Sequence, residues 1–529
     1  MLSLLDRFGD AITSVLHGFD RVVFKGRLSG LMFPDGASAF LSHRGVLHKD
    51  LSDWMQDRTQ EIVDAVQQQV VTATGREITY LSSSRTRKED EARSRQKELG
   101  IDSGIVGAWS CVEAGQSFRV VYQPGKGYPG LRYDHVRCKH LYLYLEDPCY
   151  GWMALRLQTW LPYHIQVSIN GREWLRRQLD GHGIGYERSA NKFIAVDDPL
   201  RAQQCLDAQP RIEWFSALDA LVPLIFPGFA EIVDRRHYEW TIWQSEWASD
   251  YLCHTPQQAQ EIMLHLLNHA VLTGTADRVI RYFARPVSKA SEVPQHNRND
   301  IRTGTKYYHD GARVRHWIDA NSVKAYNEAN ILRIETTINQ PGMFQVMRHV
   351  ADPHRKDLRQ PPPPDAQKRR MQLRKSVADT TLRAHVAQEV NDRFAAHLAT
   401  CVDTTPFSQL TKRYSKARTV DGKRVRALEL FGKDRDLIVS LGDPAHNVTG
   451  LTNATIKKAL CGTSWAAHRT DKQLTARISR HLRLLRHHGI IRKVPGRNRY
   501  LVTENGQKTA LALMGALQSS TQELTRVAA

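Results

Sequence analysis

Residues 140–169 read HLYLYLEDPCYGWMALRLQTWLPYHIQVSI, and this stretch decides how the middle of the chain folds. Its apolar residues recur every second position. Leu141, Leu143 and Leu145 point one way while His140, Tyr142, Tyr144 and Glu146 point the other. Met153, Leu155 and Leu157 oppose Arg156 and Gln158, and Ile165, Val167 and Ile169 oppose His164, Gln166 and Ser168. A period of two is the mark of a strand buried on one side. Three such strands separated by Gly/Pro turns predict an antiparallel sheet with one apolar and one polar face. Ile105–Val112 and Ser117–Tyr122 extend it on the N-terminal side. Asn170 then caps a helix running to about Leu179, with Glu173 in the capping-box position.

Working outward, Leu2–Phe19 reads as an amphipathic helix rather than a signal peptide, because Asp6, Arg7 and Asp10 interrupt its apolar pattern. Arg21–Leu28 reads as a strand, Leu51–Ala73 as a long amphipathic helix, Glu77–Leu81 as a strand and Thr86–Leu99 as a polar helix. Residues 211–290 read as helical. Trp240, Trp243 and Trp247 fall on one helical stripe, and Glu246 and Asp250 stand one turn apart. Thr255-Pro256 starts a helix whose buried stripe is Ala259, Ile262, Met263, Leu266, Leu267, Ala270 and Val271. Arg313–Asp319, Ser322–Tyr326 and Ile331–Asn339 form a β meander, the last with Leu332, Ile334 and Ile338 inward and Arg333, Glu335 and Thr337 outward. Four prolines at 361–364 followed by KRRMQLRK read as a stiff basic linker.

The partition expected from this pass is a mixed α/β region (1–100), a central α+β domain (101–350), a Pro-rich linker (351–376), a helical connector (377–448) and a C-terminal module (449–529). The fold class is α+β, multidomain.

Composition bounds the function. The 529 residues carry 74 Lys+Arg against 55 Asp+Glu, a net charge of +19. An excess of this size points to nucleic acid, an anionic membrane or an acidic protein as partner. No run of about 18–20 apolar residues is present, so no membrane partner is expected and the chain reads as cytoplasmic. The seven cysteines include no Cys-x-x-Cys pair, which argues against a disulfide framework and a Cys-rich zinc site. Copies of the chain can associate; nothing in the sequence sets their number.

Within residues 470–500 nine Lys/Arg face one Asp. The Asp471–His488 segment has Leu474, Ile478, Leu482 and Leu485 as a core stripe and Lys472, Arg477, Arg480, Arg483 and Arg486 on its other faces. A hairpin bearing Arg492, Lys493, Arg497 and Arg499 follows, then Thr503 and a closing helix. The segment LRLLRHHGIIRKVPGRNRYLVTENG resembles the winged helix-turn-helix of MarR-type regulators. That resemblance implies a helix in the major groove of DNA and wing cations on phosphates.

A weaker resemblance lies upstream. His164-Ile165-Gln166 on a strand is similar to the metal-holding strand of HUH nucleases, and implies a divalent metal (Mg or Mn) on His164 and Gln166, with Glu146 or His140 as third ligand. Arg281-Tyr282-Phe283-Ala284-Arg285 resembles the tyrosine element of two-tyrosine rolling-circle transposases, with Pro286 in place of the second tyrosine. It implies Tyr282 as a nucleophile assisted by the metal. The meander resembles a stretch of rolling-circle replication initiators. Separately, Glu246 and Asp250, paired one turn apart, are candidates to bind Mg²⁺ with Glu335 as a third, catalytic carboxylate, and Arg313, Arg315, Lys324 and Arg333, with Lys368, Arg369 and Arg370 of the linker, are further candidate nucleic-acid contacts.

Three functions follow as expectations: a mobile-element or replication protein that binds DNA and nicks it, a non-enzymatic winged-helix regulator, and an RNA-binding protein using the polar sheet face. DNA is favoured over RNA.

Overall fold

The computed structural model describes residues 3–82, 87–122, 125, 129–234, 236–274, 276–284, 301–309, 311–350, 359, 363, 366–399, 406–420, 422–443, 445–446, 450–494 and 496–520. Helices and strands both contribute heavily, so the class is α+β. The chain divides into two compact units. The first comprises residues 1–14, 250–336 and 389–529, and the second residues 15–249 and 337–388.

Ser3 caps a short helix, Leu4–Phe8, and Gly9 ends it. β1 then runs from Ile12 to Arg27, so the long N-terminal helix expected from the apolar spacing is a helix of five residues followed by a strand of sixteen. The β-branched Ile12, Thr13, Val15, Val22 and Val23 favour that outcome, and sheet pairing decides it. The Leu51–Thr74 helix buries Leu51, Met55, Thr59, Ile62, Val66 and Val70 as one stripe, stops at the left-handed Gly75 (φ 66°), and packs against β3 (Gly104–Tyr122). β2 (Thr79–Tyr80) pairs in parallel with β3. β3 is continuous through the two strands expected there, with a bulge at Ile105/Gly107.

β4 (Pro129–Asp147), β5 (Gly151–Gln158) and β6 (Ile165–Asn170) complete the antiparallel sheet anticipated from the period-two pattern. Leu143, Leu155 and Val167 stand side by side across it, all fully buried. Tyr142, Arg156, Gln166 and, on β1, Lys25 form the neighbouring row on the other face. Asn170 caps the Gly171–His182 helix, its side chain accepting from the backbone N–H of Arg172 and Glu173. Glu173 does not reach back to close a capping box; it pairs with Arg176 and Arg188. β7 (Tyr186–Ser189) and β8 (Lys192–Val196) form a separate hairpin.

The tryptophan-rich segment expected to be helical is a strand, β9 (Glu239–Cys253), beside β1. Trp240 is therefore on the buried face and Trp243 on the opposite one. Glu246 and Asp250 are four strand residues apart, about 13 Å rather than one helical turn. Thr255 and Gln258 close a capping box on the Pro256–Thr273 helix, which buries Ala259, Ile262, Met263, Leu266, Leu267 and Ala270 as expected; the Val271 side chain lies outside the described residues.

In the first unit β10 (Ile301–Tyr308), β11 (Gly311–Ile318), β12 (Asn321–Glu328) and β13 (Ile331–Ile338) form the meander in sequence order. Every residue of β13 is buried. The outward face expected for Arg333 and Glu335 is thus covered, and Arg333 and Lys324 each find a carboxylate. Arg333 Nη2 donates to Asp250 Oδ2 at 2.8 Å and Lys324 Nζ sits 2.8 Å from Glu335 Oε1. β14 (Gln345–His349) and β15 (Lys368–Gln372) pair as a hairpin in the second unit, so Lys368, Arg369 and Arg370, expected in a linker, are exposed strand residues. Of the four prolines only Pro363 is described. β16 (Arg418–Val420) and β17 (Lys423–Val425) form a further hairpin.

Among the described residues no helix is long and apolar enough to cross a membrane.

Candidate nucleic-acid interfaces

The C-terminal module is built on a single apolar cluster. Leu437 and Ile438, Leu451, Ile456 and Leu460, Leu474, Ile478, Leu482 and Leu485, and Leu513 of the last helix all meet in it. Around it the order is a short helix (Arg435–Ser440), a bridge from Leu451 to Tyr500, the Asn453–Leu460 helix, the Asp471–His487 helix, a hairpin of β18 (Ile491–Lys493) and β19 (Tyr500–Val502), and the Glu504–Gln518 helix. Thr452 and Thr470 each close a capping box, the local reason that both middle helices start where they do. Gly506 lets the last helix approach β18: a Cβ there would stand 2.2 Å from the Ile490 carbonyl oxygen.

With Leu474, Ile478, Leu482 and Leu485 buried, the other side of that helix is left to solvent. Lys472, Arg480, Arg483 and Arg486 are all exposed and fall within an arc of about 120°, counted at about 100° per residue. Arg492, Lys493 and Arg497 of the hairpin are exposed too. Two of the expected DNA-binding cations are engaged elsewhere. Arg477 stacks on Trp465, 4.0 Å from the ring centroid, and donates to the Trp465 carbonyl at 3.2 Å. Arg499 is buried, its stem against Gly450. Burial withdraws Arg499 from the surface, and the indole stack ties down the half-exposed Arg477.

On the polar face of the sheet, Glu113 of β3 gathers Tyr142 Oη (2.8 Å), Arg156 Nη2 (2.8 Å), Lys88 Nζ (3.5 Å) and the Cys111 thiol (3.1 Å). Burial works to raise its carboxyl, but hydrogen bonds from Cys111 and Tyr142 and the Arg156 guanidinium hold it down at about 2. Beyond this cluster the face is cationic. Lys25 and Arg27 of β1 lie on it, and the Lys375 ammonium approaches Trp243 of β9 from the 375–376 segment that bridges to β9. Burial and then Arg27, Arg156 and Lys375 bring the Lys25 ammonium down to about 8.

His164 sits in this surrounding, buried with Nε2 3.2 Å from the Met32 sulfur. Burial first, then Lys25, Arg27 and Arg156, push its pKa down to about 3. Of the metal set read from the sequence, Glu146 is not brought to His164 and Gln166. Gln166 faces Arg156, whereas Glu146 faces Trp152, four residues along the sheet and about 13 Å away. Glu146 is instead held by Arg176 (2.8 Å) and Arg177 (2.6 Å). His140 is buried with Nδ1 3.1 Å from the Cys138 carbonyl. Among the described residues no group of three His, Cys, Asp or Glu is arranged to hold a metal ion.

Tyr282 belongs to the first unit and is a core residue. Its ring packs on Phe394 (5.0 Å), His397 (5.7 Å) and His316 (5.8 Å), and its hydroxyl is buried with no hydrogen-bond partner among the described residues. Burial pushes its pKa upward, the wrong direction for a nucleophile. Arg285 and Pro286 lie outside the described residues. Glu335 is ion-paired and receives the Tyr326 hydroxyl at 3.3 Å. Arg333 and Lys324 are taken up by these carboxylates, Arg315 donates to Ser322 (2.8 Å), and Arg313 stays half-exposed.

Glu113, Lys25, Arg27 and Lys375 were not singled out from the sequence, and Trp243 was read only as part of a helical stripe with Trp240 and Trp247. A period-two reading of 21–28 (RVVFKGRL) and of 239–243 (EWTIW) would have put Lys25, Arg27 and Trp243 on polar faces. The Glu113 cluster had no such signal, since it forms across three strands. Comparison of the chain with protein-family models, with curated proteins and with solved structures finds no match.

Proposed function

We propose that the chain is a nucleic-acid-binding protein whose C-terminal module grips duplex DNA as a winged helix-turn-helix does. The observation that carries this reading is the exposed arc of Lys472, Arg480, Arg483 and Arg486 on a helix whose opposite stripe is buried. In this reading the Asp471–His487 helix enters the major groove, and Arg492, Lys493 and Arg497 sit on flanking phosphates. Arg477 and Arg499 act as positioning residues, one fixing the helix start through Trp465 and the other packing the hairpin base over Gly450.

Binding without strand nicking, as in a regulator, is the version we favour. Nicking would need the Tyr282 hydroxyl to leave a buried aromatic cluster and a metal to settle among Lys25, Arg27 and Arg156 beside His164.

The test is the salt dependence of binding to a labelled duplex, read by fluorescence anisotropy. Removing one phosphate-binding cation flattens the log–log slope by about 0.9, so Arg480→Ala/Arg483→Ala/Arg486→Ala should flatten it by about 3. An unchanged slope and affinity in that triple variant would overturn the proposal. On single-stranded oligonucleotides with Mn²⁺, no covalent adduct is expected; an adduct that disappears in Tyr282→Phe would restore the nickase.

A further inference from the structure

The polar sheet face of the second unit carries a cluster that the C-terminal reading does not use. Trp243 is 44% exposed although it is the largest side-chain type and stands on a strand whose neighbours are mostly buried. Two ammonium groups flank it: Lys25 Nζ and Lys375 Nζ each lie 5.1 Å from its ring centroid. Backbone bonding fixes both. The Lys25 carbonyl accepts the Thr241 hydroxyl at 3.0 Å, and the Lys375 carbonyl accepts the Ile242 N–H at 2.6 Å. Arg27, two residues from Lys25 on the same face, has its Nε buried with no hydrogen-bond partner among the described residues.

Like charges this close oppose one another unless something anionic joins them. Arg156 has Glu113 as counter-ion, 2.8 Å away. Lys25, Arg27 and Lys375 form no ion pair with a carboxylate among the described residues. Burial and three cations acting on Lys25 make the same point from its proton affinity, which drops to about 8. Three cations held together without a carboxylate leave an uncompensated positive charge beside a partly exposed ring. A ligand with a phosphate for the cations and a flat ring for the indole would match both.

We infer that Trp243, Lys25, Arg27 and Lys375 form a binding site for an unpaired nucleoside phosphate, the ring stacked on Trp243 and the phosphate held by the cations. A strand of single-stranded nucleic acid and a free nucleotide share this chemistry. All four residues belong to the second unit, and the cations of the proposed duplex-binding surface belong to the first.

The experiment uses the full chain carrying Arg480→Ala/Arg483→Ala/Arg486→Ala, so that failure of the duplex reading leaves this one testable. A labelled ten-nucleotide oligo-dT and its oligo-U counterpart are the probes, read by anisotropy at low salt. Trp243→Ala should weaken binding about 10- to 100-fold, as removal of one base–aromatic stack does, and Trp243→Phe should retain most of it. Lys25→Gln should weaken binding and lower its salt slope by about 0.7. Trp243 is exposed, so its replacement should leave the melting temperature unchanged. Affinity that grows with oligonucleotide length assigns the site to a strand; competition by uridine monophosphate as strong as by the oligomer assigns it to a free nucleotide. Equal binding in Trp243→Ala and wild type, or displacement by poly-glutamate as strong as by oligo-dT, would overturn the inference.

Discussion

Replacing Asp250 by Asn isolates the energetics of the buried ionic network in the first unit. Arg333 is 2% exposed and Asp250 likewise 2%, and the guanidinium meets the carboxylate through two parallel hydrogen bonds from Nε and Nη2. Glu335 Oε2 stands 4.0 Å from Arg333 Nη1 and Lys324 stands 2.8 Å from Glu335, so these two cations face these two anions. Asp250→Asn keeps the shape and leaves one buried positive charge in excess. Breaking a buried pair from one side costs about 3–5 kcal/mol. A cooperative unit of this size loses about 2–4 °C per kcal/mol, so melting followed by circular dichroism or calorimetry should fall by roughly 10 °C. The control is Asp250→Leu/Arg333→Met, which removes both charges and leaves Lys324–Glu335 neutral. It should recover to within ~2 kcal/mol of wild type. A shift under ~2 °C for Asp250→Asn, or a double variant less stable than the single one, would refute the reasoning.

Acid should destabilise the first unit early. Burial brings His316 down to about 4, and burial followed by Arg278 and His269 brings His397 down to about 3, from the ordinary 6.5. Between 6.5 and those values the unfolded chain binds more protons than the folded one, so stability falls as pH drops; urea melts at pH 7 and pH 5 should differ by roughly 2 kcal/mol per histidine. His316→Leu should flatten that dependence. Gly506→Ala should destabilise the C-terminal module by about 1–3 kcal/mol, because its Cβ meets the Ile490 carbonyl at 2.2 Å, and weaken duplex affinity with it. Gly515→Ala, with nothing within 4 Å on the same helix, should be neutral or stabilising by up to about 1 kcal/mol; equal effects of the two in thermal melts would show that the close approach at Gly506 is not tight. Tyr282→Phe removes a buried hydroxyl that has no partner among the described residues, so its melting temperature should hold or rise, and a fall would reveal a hydrogen bond to that oxygen.

The period of two from His140 to Ile169 and the caps at Asn170 and Thr255 were legible because strand alternation and capping are local: each depends on residues a few positions apart. The basic helix at 471–487 was legible for the same reason. Where two local readings fit one segment, sequence could not choose. Trp240, Trp243 and Trp247 match a helical stripe as well as they match a strand, and Ile12–Phe19 does likewise; pairing within the sheet turned both into strands.

What the sequence determined by itself was therefore the periodic content: strands at 140–169, capped helices, and the placing of surplus cations opposite an apolar stripe. Tertiary structure alone decided which charges remain available. Arg333 and Lys324 on one side, and Lys25, Arg27 and Lys375 on the other, are the same residue types in similar settings. The first two meet carboxylates brought from elsewhere in the chain, whereas the last three meet one another and a tryptophan. Charge compensation depends on distances of a few ångströms between residues that can lie far apart in the chain, and no local pattern encodes those.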